Sequence, residues 1–279
     1  MAGTSGSTPA TLFGKHMKKE REAHGWSLRE MSARTGIDAP HLSRIETGRR
    51  PPTERVALAC DAAFPERRGY FIELYREMLT WMPPGFRDWG EYEDAASSLR
   101  AWSPGVLHGL VQTERYARSM LATSLGVTDE VIATRLRSRM ERQKRVLYRE
   151  DPPEAWFIVD QLSLYREVGS PEIMSEQMRH LASVARLPNV KVQVMPAVAH
   201  PVTQSGFLIA DSAGYAEHCV GGFVYDDAQT VTNMGKLFVS LQVESYRASE
   251  SLALIEEVGE IWQTHGVRAA SQELTGETA

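Results

Sequence analysis

Between residues 25 and 53 helix stop and start signals follow one another so closely that only short helices joined by tight turns fit. Gly25 is a C-terminal stop for an amphipathic run containing Leu12, Phe13, His16, Met17 and Glu20. Ser27 then offers an N-cap oxygen with Glu30 three residues later, the pattern of a capping box. Leu28 and Met31 give this second helix a small apolar face, and Thr35-Gly36 ends it. Asp38 caps a third helix over 39–46, with Pro40 in the first turn, where a missing N–H costs little. Leu42 and Ile45, three apart, point inward; Gly48 closes the helix, and Thr53 caps a fourth that carries Val56, Ala57, Ala59 and Cys60. A capped helix, a glycine turn and a second capped helix predict helix-turn-helix geometry.

That geometry has a functional corollary. The second helix of such a pair enters the DNA major groove, N-terminal end first. With Leu42 and Ile45 inward, the outward positions are Ala39, Pro40, His41, Ser43 and Arg44. Arg44 is the best base reader, because its fork matches guanine O6 and N7. His41 and Ser43 can bond bases or phosphate. Arg49 and Arg50, just past the helix, suit phosphate contacts that set register without reading sequence. Ser27 and Arg29, at the start of the preceding helix, complete the candidate DNA-binding set. Charge agrees: residues 1–60 hold ten basic and six acidic side chains, a balance of +4, whereas the rest of the chain balances at −9. A basic front can face a polyanion. The bland alternative is a small helical bundle with a solvated basic face.

The remaining sequence changes character twice. Residues 66–150 read as helical: Tyr70, Phe71, Leu74, Tyr75, Met78 and Leu79 recur at helical spacing, Trp81 to Gly85 breaks the run, and 90–101, 112–124 and a basic stretch 128–149 are further helices. Strand signals follow at 155–160, 190–195, 206–210 and 217–225, with helices at 171–187, 230–247 and 249–265. The expected fold is therefore α+β: an N-terminal all-helical bundle, then a mostly helical domain with a small β-sheet. The expected boundaries are a flexible arm 1–11, a DNA-binding domain 12–65, an effector- or partner-binding and dimerisation domain 66–265, and a frayed tail 266–279. No apolar run approaches the roughly 20 residues of a membrane helix. Cys60 and Cys219 lie too far apart to suggest a disulfide framework, so a cytoplasmic, nucleoid-associated setting is expected.

Two stretches carry family resemblances. Trp26 to Met31, Thr35 to Ile37, and Leu42 to Pro52 with its Ser43-Arg44-Ile45-Glu46 and Gly48 block closely resemble the XRE (Cro and phage-repressor-like) DNA-binding family. In that family the residue at Glu46 is structural, and polar residues often stand where this chain has Ala39 and Pro40. Farther on, Leu99 to Pro104, Gly109 to Thr113, Tyr116 to Arg118 and Arg139 to Gln143 resemble the C-terminal region of WhiJ-like actinobacterial regulators, with departures at Ser103, His108 and Gln161. The resemblance is dispersed over about 66–262. It implies an antitoxin-like regulator, often paired with a small partner protein, whose C-terminal domain has no established chemistry.

Catalysis finds little support. His218 and Cys219 are adjacent and on a strand face opposite ways, His200 lies in a loop, and no spacing suits a zinc site. Gly221-Gly222 lacks the Lys and helix start of a phosphate loop and reads as a bulge or turn. The expectation is no enzyme, no metal and no cofactor. Trp81, Phe86, Trp89, Tyr92 and Trp102 form an aromatic set that reads either as core or as a pocket or groove. Trp89, Trp102, Gln112, Tyr116 and Glu217 are the candidate ligand or partner residues. The expected partners are double-stranded DNA, a second copy of the chain, and a small-molecule effector or small partner protein.

Overall fold

The computed structural model describes residues 9–79, 86–123, 127–197, 205–218 and 221–264. The 1–8 part of the expected arm, the expected tail, Trp81, His200 and Cys219 lie outside these residues, as does the side chain of His218. The chain divides into two compact units, Met1–Trp81 with Leu121–Arg135, and Met82–Met120 with Leu136–Ala279.

The first unit is all helical: α1 Pro9–Ala23, α2 Leu28–Thr35, α3 Ala39–Glu46, α4 Glu54–Ala63 and α5 Tyr70–Leu79, joined by the first turns of α8 Asp129–Leu147. Its core gathers Phe13, Met17, Met31, Leu42, Ile45, Val56, Phe64, Phe71 and Tyr75, all fully or almost fully buried. The unit extends past the boundary expected at 65, because Phe71, Leu74, Tyr75 and Met78 of α5 pack in this core. Phe71 meets Phe13 edge to face at 5.3 Å, and Asp61 on α4 caps α5, its carboxylate accepting from the Phe71 and Ile72 amides at 2.9 Å. The helix expected from 12 begins at Pro9.

The second unit is built on a sheet that, among the described residues, has six strands: β1 Ser98–Ser103, β2 Glu154–Asp160, β3 Val190–Met195, β4 Phe207–Ala210, β5 Ala213–His218 and β6 Gly221–Tyr225. Their order is β3-β2-β1-β4-β5-β6, with β3-β2-β1 parallel and the rest antiparallel. The fold is α+β with a small mixed sheet in the second unit, as expected. Residues 98–101, expected to be helical, form central strand β1 after α6 Phe86–Ala95 ends. β1 alternates half-buried Ser98 and Arg100 with buried Leu99 and Ala101 before the buried Trp102 breaks the pattern, so its period of two runs over only four residues next to a helical stretch. The segment 217–225 is split between β5 and β6, and the turn expected over 211–214 shrinks to Asp211-Ser212. Asp211 ties this turn to β1: its carboxylate accepts from the Ser97 and Ser98 amides and from the Ser97 hydroxyl. Gly222 makes no bulge; it stays in register with Glu217, and a Cβ there would lie 2.0 Å from the Tyr215 hydroxyl.

The two sheet faces have separate cores. One packs Leu99, Ala101, Phe157, Val192 and Tyr215 against Trp89 of α6, α7 Glu114–Ala122, α9 Gln161–Tyr165, α10 Pro171–Ala185 and α12 Ala248–Thr264. The other packs Trp102, Ile158, Met195, Phe207 and Ile209 against α11 Ala228–Glu244. The β3 edge is closed locally, since Val194 accepts from the Tyr246 amide and donates to the Ser251 hydroxyl. No helix among the described residues is long and apolar enough to cross a membrane.

Candidate nucleic-acid interface

The local signals in α2 and α3 act as the sequence implies. Ser27 Oγ accepts from the Glu30 amide at 3.2 Å, and the Ser27 amide donates to Glu30 at 2.7 Å, a complete capping box. Gly36 takes the left-handed conformation (φ +65°) that ends α2. Asp38 accepts from the His41 amide and starts α3. Leu42 and Ile45 are fully buried. Depth is set by Gly14 of α1: a Cβ there would stand 2.1 Å from the Ile45 carbonyl oxygen, so the backbones of α1 and α3 approach closely at this point. At the far end the Arg49 and Arg50 amides both donate to the Arg44 carbonyl, at 2.8 and 3.1 Å. The two arginines are thereby fixed in backbone position with exposed side chains.

Sequence reasoning placed Glu46 in a structural role, and the geometry shows how it acts. Arg21 of α1 donates to both Glu46 oxygens, at 2.6 and 2.9 Å, and to the Trp26 carbonyl at 2.7 Å. Both side chains are almost buried, and the carboxylate raises the Arg21 pKa. One guanidinium thus ties α1, the entry to α2 and the end of α3 together. Trp26 is held between the stacked Phe64 ring at 5.2 Å and the Arg34 guanidinium 4.2 Å from its centroid.

With α3 anchored on its inner face, Pro40 and Arg44 are exposed and Ala39, His41 and Ser43 half-buried. The Arg44 Nε–H donates to the Pro40 carbonyl at 3.1 Å, which lays the guanidinium along its own helix. Among the described residues, Arg29, Arg44, Arg49 and Arg50 take part in no ion pair. His41 is different. Its Nε2 is buried without a hydrogen-bond partner; burial, then Arg50, push its pKa below the usual imidazole value against the pull of Asp38. Ser27 is exposed but its oxygen is engaged in the cap. The result is an exposed face carrying cations, suited to an anionic groove and able to read bases only through few side chains.

Elsewhere in this unit Glu20, His24 and Glu66 come within ligand distance of one another. Arg67 pairs with Glu20, and His24 Nδ1 meets the Glu20 carbonyl at 2.9 Å, so the group is an ion-pair knot.

The candidate ligand residues of the second unit do not form one pocket. Trp89 and Trp102 are fully buried in different cores, on opposite faces of the sheet. The reason is strand alternation: Ala101 faces the Trp89 side, so Trp102 faces the other. Gln112 and Tyr116 share a partner, the Leu107 backbone. Gln112 Nε2 donates to the Leu107 carbonyl, and the Tyr116 hydroxyl accepts from the Leu107 amide. Glu217 stands exposed on β5.

What sequence reasoning missed is a buried polar network behind this loop. Glu93 on α6, fully buried, accepts two bonds from Arg142 of α8 at 2.5 and 2.7 Å and one from the Trp89 indole. Arg139 donates to Gln112, Gln143 donates to the Gly109 and Gln112 carbonyls, and Gln177 clasps Val111 and Thr113. Burial, with Arg142 and Arg139 nearby, pushes the His108 pKa well down. The network holds the loop 107–113 in one conformation. Its only sequence signal is the glutamine and arginine content of helices that otherwise read as solvated.

The chain matches two family models. One, described as a helix-turn-helix domain, covers residues 12–64; the other, described as a domain of unknown function, DUF5753, covers residues 86–257. No curated protein and no solved structure matches.

Proposed function

From the premise that the chain belongs to the DUF5753 family and carries a helix-turn-helix domain before it, we propose that it is a sequence-specific transcription regulator acting as a homodimer on double-stranded DNA. The observation that carries this reading is α3: apolar side chains inward, and Arg44, Arg49 and Arg50 outward with no acidic partner among the described residues. One helix with so few base-reading groups discriminates poorly, and two copies on a palindrome multiply the discrimination. The second unit, which has cores of its own and is larger than DNA contact requires, senses a small molecule or small partner protein. By linkage it shifts operator affinity only as far as the effector prefers one DNA-binding state. The resemblance to WhiJ-like, antitoxin-like regulators supports a protein partner. In this reading the chain works in the cytoplasm at the nucleoid and is not an enzyme.

The test begins with an operator selected from random double-stranded DNA. Arg44→Ala is expected to cost about 1–3 kcal/mol in specific binding and relax one base position; Arg49→Ala should weaken all sequences alike and lower the salt slope by about 1. An Arg44→Ala protein with unchanged operator affinity at fixed salt removes the assignment.

A further inference from the structure

Strands β1, β2 and β3 run parallel, and parallel strands ordinarily have both faces covered. Here one face is covered only in part. Helix α11 crosses it from β5, where a Cβ on Gly214 would stand 2.4 Å from the Met234 sulfur, to β3, where Gln242 donates to Gln193 at 3.3 Å. Beneath it lie Ile158, Trp102 and Phe207, neighbours in register on three strands. Two residues before Trp102 and Ile158, and four before Met195, the same face carries Arg100, Trp156 and Lys191, again side by side in register.

This second row escapes the cover. Trp156 is 38% exposed, whereas Trp89, Trp102 and Trp262 are buried. Lys191 is exposed and Arg100 half-buried. An interior strand thus turns its largest side chain to water with a cation on each side. Among the described residues neither cation takes part in an ion pair. Glu154, exposed on the same face two residues before Trp156, stands opposite Ser98 in the next row and pairs with neither.

The chemistry of the row selects its occupant. Three side chains on an open sheet surface do not enclose a small ligand, which needs a concave site. The positive charge is local, because the chain beyond residue 60 balances at −9, and that net acidity opposes a long polyanion such as nucleic acid. A protein segment with an apolar side chain between two carboxylates fits. Strands about 4.8 Å apart place Arg100 and Lys191 roughly 10 Å from each other. Seven residues of α-helix rise about 10.5 Å. Tryptophan and arginine are also the side chains that most often anchor protein interfaces.

We propose that the Arg100–Trp156–Lys191 row docks an acidic amphipathic helix of a partner protein, laid across the strands beside α11. Its apolar side chain covers the Trp156 ring, and carboxylates one turn to either side pair with Arg100 and Lys191. The proposal rests on the partner-sensing reading above and adds the surface and the chemistry of the partner.

The experiment is fluorescence anisotropy of a fluorescein-labelled, alanine-based helical peptide carrying glutamate, leucine and glutamate at positions i, i+4 and i+7, titrated with the full chain at low salt. The wild type is expected to bind it about fivefold or more tighter than the peptide with glutamine in both acidic positions. Trp156→Ser should weaken binding about tenfold or more, and Lys191→Glu should abolish the preference for glutamate over glutamine. Lys191 is exposed, so its variant keeps the test open if Trp156→Ser lowers the circular dichroism melt. No saturable binding, or equal binding by the wild type and both variants, overturns the surface and leaves the sensing reading standing. Displacement of the peptide by an oligothymidylate at lower concentration than by unlabelled peptide overturns the choice of a protein partner. Binding as expected with operator affinity unchanged supports the surface and overturns its regulatory use.

Discussion

Replacing Glu46 with Ala should loosen the recognition helix without touching any DNA-facing residue. Arg21 and Glu46 have side chains only 12% and 5% exposed. The substitution removes two charge-assisted bonds and leaves the guanidinium with the Trp26 carbonyl and the exposed Glu22 carboxylate 3.5 Å away. Breaking one side of such a buried pair costs about 3–5 kcal/mol, because the remaining charge is desolvated and keeps only a solvent-screened carboxylate, Glu22, beside it. A small domain holds roughly 5–15 kcal/mol in total, so the first unit would lose at least about a fifth of its stability. Hydrogen exchange of the full chain, read on peptides from α1 to α4, reports that local opening free energy. Amides of α3 should lose two to four decades of protection, at about 1.4 kcal/mol per decade. Operator affinity should fall with them. The double variant Arg21→Met with Glu46→Leu should recover most of the loss, since apolar replacement of a buried pair is often neutral or better. A loss below about 1 kcal/mol in Glu46→Ala would mean that the pair behaves as a surface ion pair, and the argument from burial would fail.

Other substitutions test other parts. Gly14→Val forces a side chain into the Ile45 carbonyl and should cost about 1–3 kcal/mol or more by overpacking, read as a lower melting temperature of the first unit with the second unchanged. Trp102→Ala, at 1% exposure, should cost about 3–5 kcal/mol; a near-neutral result in urea unfolding would show that its cavity holds something else. Tyr215 has a buried hydroxyl without a partner, so Tyr215→Phe should be neutral or stabilising by about 1–3 kcal/mol, and a destabilised variant would reveal a bound group at that oxygen. His108 has a lowered pKa in the folded chain, so the unfolded state takes up its proton first. Its contribution is complete above about pH 6.5 and declines, by about 1.4 kcal/mol per pH unit, as pH falls below that value. His108→Asn, which keeps an acceptor for the Leu110 amide, should flatten that part of the stability profile between pH 7 and 5.

Local chemistry determined the first unit. Ser27, Glu30, Gly36, Asp38 and Gly48 each act within a few residues of themselves, through a cap or a left-handed turn, so their meaning survives without knowledge of the rest of the chain. The inward pair Leu42 and Ile45, and hence the outward set around Arg44, follows from helical period alone. The same holds for β2 and β3, whose strand patterns are visible in isolation. The rest depended on partners distant in sequence. Strand β1 exists because β2 and β4 bracket it from about fifty and a hundred residues away, and its own letters suit a helix equally well. Trp89 and Trp102 look like one aromatic set in sequence, yet the sheet between them makes them two cores. Arg142 reads as one cation in a basic helix until α6 brings Glu93 to it, and Gly14 reads as an ordinary helical glycine until α3 arrives. Caps and periods act over one or two turns of chain, whereas burial, charge pairing and steric room exist only between elements that tertiary packing brings together.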